Sequence, residues 1–362
     1  MKLIRALLLI VVVLVALAAV GAFAFREQIG RALFERTVTR NLARDVMGGL
    51  PDGLHAVLCG SGSPMSDPTR MGPCTAVIAG DHLFVVDMGS GAARNFAPMG
   101  LPIGDAEAAF ITHFHSDHID GLGEFMLLRW VNGGHDAPLP VYGPEGVDAV
   151  VNGFNAAYTL DRGYRVAHHG ADINPPAGFG GTPHPFAFPE GRSAAVVYDQ
   201  DGVRVTAISV SHPPISPSVA YRFDYSGRSL VISGDTTPSP ALVENARGAD
   251  LLIHEALNAE MVSFLSAELA RQGDRRAAKI VHDILDYHTT PLQAAETAQQ
   301  AGVRALLLTH IVPPVPVRYL EAYYMRGTAG VFDGQVILGR DGGLVSLPRG
   351  GERVETRMLS VR

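Results

Sequence analysis

Three imidazoles and one carboxylate crowd into the run Thr112-His113-Phe114-His115-Ser116-Asp117-His118. Residues i and i+2 of an extended chain point the same way, so His113 and His115 can grip one metal ion. Asp117 and His118 follow where the chain turns toward a helix, and from there they reach a second ion beside the first. Imidazoles and carboxylates without a thiolate suit Zn2+ and leave Mn2+ or Fe2+ open. Apolar runs that end in such groups recur along the chain: Ala108–Thr112 before His113, Val205–Ser211 before His212, Leu230–Gly234 before Asp235, Leu251–Ile253 before His254-Glu255, and Ala305–Thr309 before His310. A single strand-terminal histidine is more often a satisfied structural residue. A set of them facing one way points to a site at the ends of buried strands, where the scaffold is rigid and loops vary.

The elements that must hold these groups read as layers. Leu54–Leu58, Thr75–Ala79 and Leu83–Asp87 are short apolar runs bounded by Gly, Pro, Ser and Asp, the punctuation of strands and turns. Helical patterns over Gly143–Ala157, Pro240–Arg247 and Pro291–Gln300 alternate with further strands, which predicts an α/β fold. Residues 168–195, rich in Gly, Pro and His, are expected to form a long loop over one face. Its histidines, His168, His169 and His184, are expected to be solvated, and Trp130 to pack in the core. Gly60-Ser61-Gly62-Ser63-Pro64 is a flexible loop without the Lys-Ser/Thr of a phosphate-binding P-loop.

His-Phe-His-Ser-Asp-His resembles the HxHxDH signature of the metallo-β-lactamase superfamily, and the later landmarks are similar to its ribonuclease Z and arylsulfatase-like branch. Gly60–Pro64 stands for that branch's Gly/Ser-rich loop. His212 precedes Ala220-Tyr221-Arg222, Gly234-Asp235-Thr236 precedes His254-Glu255-Ala256, and His288-Thr289-Thr290 precedes Thr309-His310. The likeness runs in order from about Leu54 to Pro314. It implies a four-layer αββα sandwich carrying two ions. The first would take His113, His115 and His212, and the second Asp117, His118 and His310, with Asp235 bridging. Such a pair shares a water, lowers its pKa and holds it as a bridging hydroxide for in-line attack. The resemblance further implies that Asp117 orients that hydroxide and that His288, steadied by Glu255, protonates the leaving oxygen. A helix-capping role for His288 stays open, and His254 is expected behind the ligands.

The expected activity is hydrolysis of a phosphodiester or sulfate ester, with a small-molecule ester as partner. Ribonuclease Z-like tRNA 3′ processing and a non-catalytic metal-binding protein are the alternatives. Processing enzymes of that branch carry a long basic arm between the third His ligand and the bridging Asp, but here His212 and Asp235 are only 23 positions apart. A net charge of −7 without basic runs also argues against a nucleic-acid partner. Lys2 and Arg5 precede an uncharged apolar stretch, Leu7–Phe25, long enough for a bilayer. Residues 1–25 are therefore expected to be a transmembrane anchor, 26–50 a helical connector and 51–362 the catalytic domain. The positive-inside rule places that domain outside the cytoplasm. A leader cut at Ala22-Phe23-Ala24, releasing the domain, is the alternative. Cys59 and Cys74 sit beside runs that could pair, so a disulfide and two buried thiols both fit. A homo-oligomer is left open.

Overall fold

Alternate residues of successive strands are apolar on both faces, which obliges each sheet to be covered twice. The computed structural model describes residues 2–361; Met1 and Arg362, which the expected segments include, lie outside them. One sheet has eight strands in the order β15-β14-β1-β2-β3-β4-β5-β6, the other seven in the order β13-β12-β11-β10-β9-β8-β7. Their ranges are β1 Gly53–Gly60, β2 Cys74–Ala79, β3 His82–Val86, β4 Ala106–Phe110, β5 Leu139–Pro144, β6 Gly181–Phe186, β7 Ala194–Gln200 and β8 Val203–His212. There follow β9 Ile215–Tyr225, β10 Arg228–Ile232, β11 Leu251–Leu257, β12 Ala305–Val312, β13 Gln335–Leu338, β14 Gly343–Pro348 and β15 Glu355–Met358. The helices are α1 Lys2–Ala24, α2 Arg26–Leu42, α3 Phe96–Met99, α4 Ser116–Ile119, α5 Leu122–Gly133, α6 Val147–Ala157, α7 Thr159–His169, α8 Pro240–Asn245, α9 Ala259–Arg271, α10 Arg275–Asp283, α11 Pro291–Ala301 and α12 Tyr319–Tyr324.

The sheets face one another across a core in which residues two apart on each strand meet. Leu54, Ala56 and Leu58 of β1 share it with Val203, Val205 and Ala207 of β8 and with Val219, Tyr221 and Phe223 of β9. Phe110, at the end of β4, lies at the middle of this layer, with the Tyr142, Tyr221 and Phe223 rings 5.1–5.4 Å away. The opposite face of the first sheet takes Leu122, Phe125 and Met126 of α5 with Val147 and Val151 of α6. The opposite face of the second takes Leu242 of α8 and the alanines of α11. The result is the expected αββα sandwich. Trp130 is buried in it and donates from Nε1 to the Pro175 carbonyl.

The chain divides between Asp45 and Val46. The first unit is α1 and α2, neither of which buries a side chain. α1 is long and apolar enough to cross a membrane, with a mean hydropathy of 3.1 over its most apolar 18 residues, and at 1.5 Å per residue it would be about 34 Å long. The stretch expected to be helical over 26–50 is helical to Leu42, and Val46, Met47 and Leu50 pack against the outer core of the second unit.

Two expectations are corrected. Residues 168–195 are not one long loop: α7 ends at His169, β6 pairs in parallel with β5 as a sheet edge, and β7 opens the second sheet. Gly and Pro obscured β6 because an edge strand tolerates prolines that a central strand rejects. His168 and His169 are exposed at the end of α7, while His184 lies on β6 against the Tyr142 ring, 4.7 Å between centroids. His254 and Glu255 do not end their strand either, since β11 continues to Leu257.

Cys59 and Cys74 form a disulfide between β1 and β2. Alkylation of the denatured protein should find no free thiol before reduction and two after it. With 15 positions enclosed, reduction should cost about 3 kcal/mol of stability in denaturant melts. Free thiols in the oxidised protein would contradict the pairing.

Candidate active site

Parallel strands deliver their last residues to one edge, and this chain uses that edge for nearly every group of interest. β3 pairs in parallel with β4, and β10, β11 and β12 run parallel to one another. Asp87 follows β3, His113 and His115 follow β4, and Asp117 and His118 lie in the single turn of α4. His212 ends β8 and Asp235 lies just beyond β10. His288 comes just before α11, whose Thr290 cap exchanges hydrogen bonds with Gln293.

Local backbone devices aim three of these side chains. Glu255 pairs with Thr309 but Ala256 pairs with Ile311, so His310 is the extra residue of a bulge, at φ 47°. Asp87 also lies in the left-handed region, at φ 56°. Both are residue types that tolerate it, and such conformations cluster at functional sites. Gly234, at φ 57°, must be glycine, because a Cβ there would lie 2.7 Å from the Val219 carbonyl oxygen.

The seven expected ligand residues converge. Nε2 of His113 lies 3.1 Å from Nδ1 of His115, which lies 3.4 Å from Nε2 of His212. On the other side, Oδ2 of Asp117 is 3.2 Å from Nε2 of His310 and 3.5 Å from Nε2 of His118. Asp235 joins the two groups through one atom. Its Oδ2 lies 3.3 Å from both His118 and His310, 3.8 Å from His113 and 4.0 Å from His212. His288 stands beside this cluster, its Nδ1 donating to Oε1 of Glu255 at 3.0 Å. Glu255 is buried and also accepts from the backbone N–H groups of Thr236 and Thr289.

The donor set fits divalent cations. Nδ1 of His212 donates to the Tyr287 carbonyl at 2.8 Å, and Nδ1 of His118 bonds Oδ2 of Asp87 at 2.7 Å. Each bond fixes which ring nitrogen faces inward. Burial, reinforced by the His118 ring, holds the His113 pKa well below its usual value, and burial also lowers His115 and His212. With their Nδ1 atoms engaged, His113 and His212 turn an Nε2 lone pair inward, and His115 Nδ1 either donates between them or, in its other tautomer, joins them in offering a cation three nitrogen donors. Oδ1 of Asp235, Nε2 of His118 and Nδ1 of His310 are buried without a well-aligned hydrogen bond, a costly state that coordination would relieve for the two inward-facing residues.

The charges are also set. Burial opposes ionisation of Asp235, but His310 and His118 outweigh it and hold its pKa well below the carboxylate range. Burial likewise opposes protonation of His118, but Asp235, Asp117 and Asp87 outweigh it and hold its pKa well above the usual value. Before a metal binds, a proton on His118 therefore stands in for part of the missing positive charge.

Asp87 was not among the expected site residues. It accepts from the backbone N–H and the hydroxyl of Thr112 as well as pairing with His118. The signal was present, since Leu83–Val86 is one more apolar run ending in a carboxylate. Asp341 was also missed. Buried behind Gly60–Pro64, it accepts from Ser61 N–H and Oγ, Met71 N–H and Asn95 Nδ2, closing the loop whose Pro64 and Met65 edge the site. No local pattern marks it, because its partners are far away in sequence. His254, expected behind the ligands, is buried and bonds the Glu255 carbonyl.

Two facing mixed sheets with a His/Asp cluster at their common edge define a hydrolase of the metallo-β-lactamase fold. Comparison with known proteins agrees: a β-lactamase superfamily domain matches residues 84–311, and the chain belongs to that superfamily. The chain is 37% identical over 212 residues to ribonuclease Z of Mycobacterium marinum, covering 58% of this chain and 73% of that protein. Among solved structures, the metallo-β-lactamase fold protein YhfI of Bacillus subtilis is similar over 82% of this chain and 100% of its own, with a TM-score of 0.57 and 20% identity. Human tRNase Z, short form, is similar over 81% of this chain and 99% of its own, with a TM-score of 0.56 and 20% identity.

Removing Asp87 should weaken cation binding by about 10- to 100-fold, the usual cost of losing a residue that orients a ligand. Calorimetric titration of the chelated Asp87→Ala protein with Zn2+ checks this, and unchanged affinity would reduce Asp87 to a structural role. In the parent protein, a cation taken up by His118 would displace the proton that Asp235, Asp117 and Asp87 favour there. Binding at pH 7 should release protons, and affinity should rise as pH rises.

Proposed function

We propose that the chain is a dinuclear zinc hydrolase of phosphodiesters, with sulfate esters as the second substrate class its centre suits. His113, His115 and His212 would hold one ion, Asp117, His118 and His310 the other, and Asp235 would bridge them. The observation that carries this is the single Asp235 oxygen within 4.0 Å of imidazole nitrogens from both groups. When bound, two such ions lower the pKa of a shared water and offset charge building on the ester oxygens.

The chain's own groups do the rest. Asp117, at the floor of the site, is held ionised: burial opposes this, but His118 and His310 outweigh it. It can therefore accept a hydrogen bond from the attacking water and orient it. His288 carries a proton to the leaving oxygen. Burial disfavours that proton, but the Glu255 carboxylate more than offsets it and raises the His288 pKa to about 9. With Nδ1 engaged by Glu255, the Nε2–H is the one free to donate.

The ribonuclease Z relatives favour a second reading, endonucleolytic tRNA 3′ processing. Against it, the span between His212 and Asp235 is filled by β9 and β10, which leaves no room for an RNA-gripping arm. α1, with Lys2 and Arg5 at its start, together with the Cys59–Cys74 disulfide, supports a membrane-anchored domain outside the cytoplasm. There it would meet a small ester rather than tRNA.

The purified chain should hydrolyse bis(p-nitrophenyl) phosphate in a chelator-sensitive way. Failure on that diester, on p-nitrophenyl sulfate and on an ester panel, alongside cleavage of a tRNA precursor, would favour the second reading. His288→Ala should retain its metal and lose about 10²- to 10⁴-fold in turnover of esters with poor leaving groups. In the parent, turnover of these esters should hold up to about pH 9 and fall above it, as His288 loses its proton. The variant should lack that alkaline fall, and an unchanged profile would leave His288 a capping residue.

A further inference from the structure

Between Glu255 and His288, the acid pair of the proposed mechanism, the chain inserts α9 and α10. α10 and the residues after it, with Pro64 and Met65, line a cavity of about 380 Å³ beside the candidate ligands. Its floor carries Asp117, Asp235, His288 and His310, and its walls are Met65, Ile280, Val281, Ile284 and Val312, with Tyr287 at the side. Among the described residues, no lysine or arginine lines it. A polyanionic strand would find no cations there for its phosphates beyond those at the floor.

Most of the wall also serves the fold: Met65, Val281 and Ile284 pack on the small cluster of Leu257, Val262 and Val312. α10 fixes itself through Ala278, 6% exposed, and through Val281, which packs on a small cluster with Val262 and Val312. Ile280 is 57% exposed beside Arg276 and Lys279 on the outer part of the same helix, and it still lines the cavity. With more than half of its surface open at the cavity mouth, Ile280 is only partly buried by the fold. A ligand that covered it would bury the remainder.

We infer that the substrate is an amphiphilic ester. Its anionic phosphoryl or sulfuryl head would lie at the floor, and a long aliphatic chain would lie along Met65, Ile284, Val281 and Ile280. This rests on the two-cation hydrolase reading and narrows it to a substrate class. A helix of membrane length at the start of the chain fits the same class, because such esters reside in bilayers.

Methyl and octyl p-nitrophenyl phosphates, turned over by the full chain in a nonionic detergent, test the tail. Methylphosphonate and octylphosphonate, bound calorimetrically, test it without turnover. Each methylene buried is worth about fourfold in binding, so octyl should exceed methyl by about tenfold or more in kcat/KM and in affinity. Ile280→Asp should bring both ratios near one, and Ile284→Ser should lower them. Leu160→Asp, an exposed change on α7 outside the cavity, should leave both ratios as they were. Detergent partitioning is common to every variant and cancels in the comparison. Turnover of the methyl ester without a chain-length gain, or a gain indifferent to Ile280→Asp, would overturn the inference and leave the hydrolase intact. Tighter octylphosphonate binding that depends on Ile280, with no turnover of either ester, would sustain the apolar wall and overturn the phosphodiesterase reading.

Discussion

One carboxylate oxygen surrounded by four imidazole nitrogens sets the terms for the rest of the molecule. Asp235 is buried, ionised and placed where nothing but positive charge can satisfy it. Removing such a group from water is expensive unless it is paired. The histidines around it are held by further bonds: His118 by Asp87, His212 by the Tyr287 carbonyl, and His113 next to the Thr112 hydroxyl, 3.1 Å from its Nδ1. Without these bonds the rings could turn, and the site would relax toward ordinary ion pairs.

The sandwich makes that crowding affordable. Hydrophobic strands in two facing sheets bury large aliphatic and aromatic surfaces, and the stability gained tolerates left-handed backbone at Asp87 and His310 and a close approach at Gly234. Parallel pairing of β10, β11 and β12 carries Asp235, Glu255 and His310 to one edge from positions dozens of residues apart. The chemistry sits at the strand ends, bordered by Pro64, Met65 and α10.

Much of this was legible in the residues, because both the buried strands and the cation donors have strong local signatures. His113, His115, Asp117 and His118 announce themselves by spacing, while His212, Asp235 and His310 do so by ending apolar runs. What stayed hidden depended on tertiary partners. Asp341 works through residues that the fold brings to it from the opposite end of the chain. β6 carries prolines that a sheet edge accepts and a sequence pattern reads as loop. α9 and α10 pack in part on a small satellite cluster of Leu257, Val262 and Val312, whose members come from distant parts of the chain and meet only in the fold.

The hydrogen bond from His212 to the Tyr287 carbonyl ties two events together. Tyr287 stands at the foot of the α9–α10 insertion and borders the cavity, so the backbone that shapes the entrance also fixes the orientation of one imidazole. An occupant that shifted this segment would alter how firmly cations could be gripped, and by reciprocity bound cations would bias how the segment sits. Cargo and metal would then be thermodynamically linked through a single peptide unit.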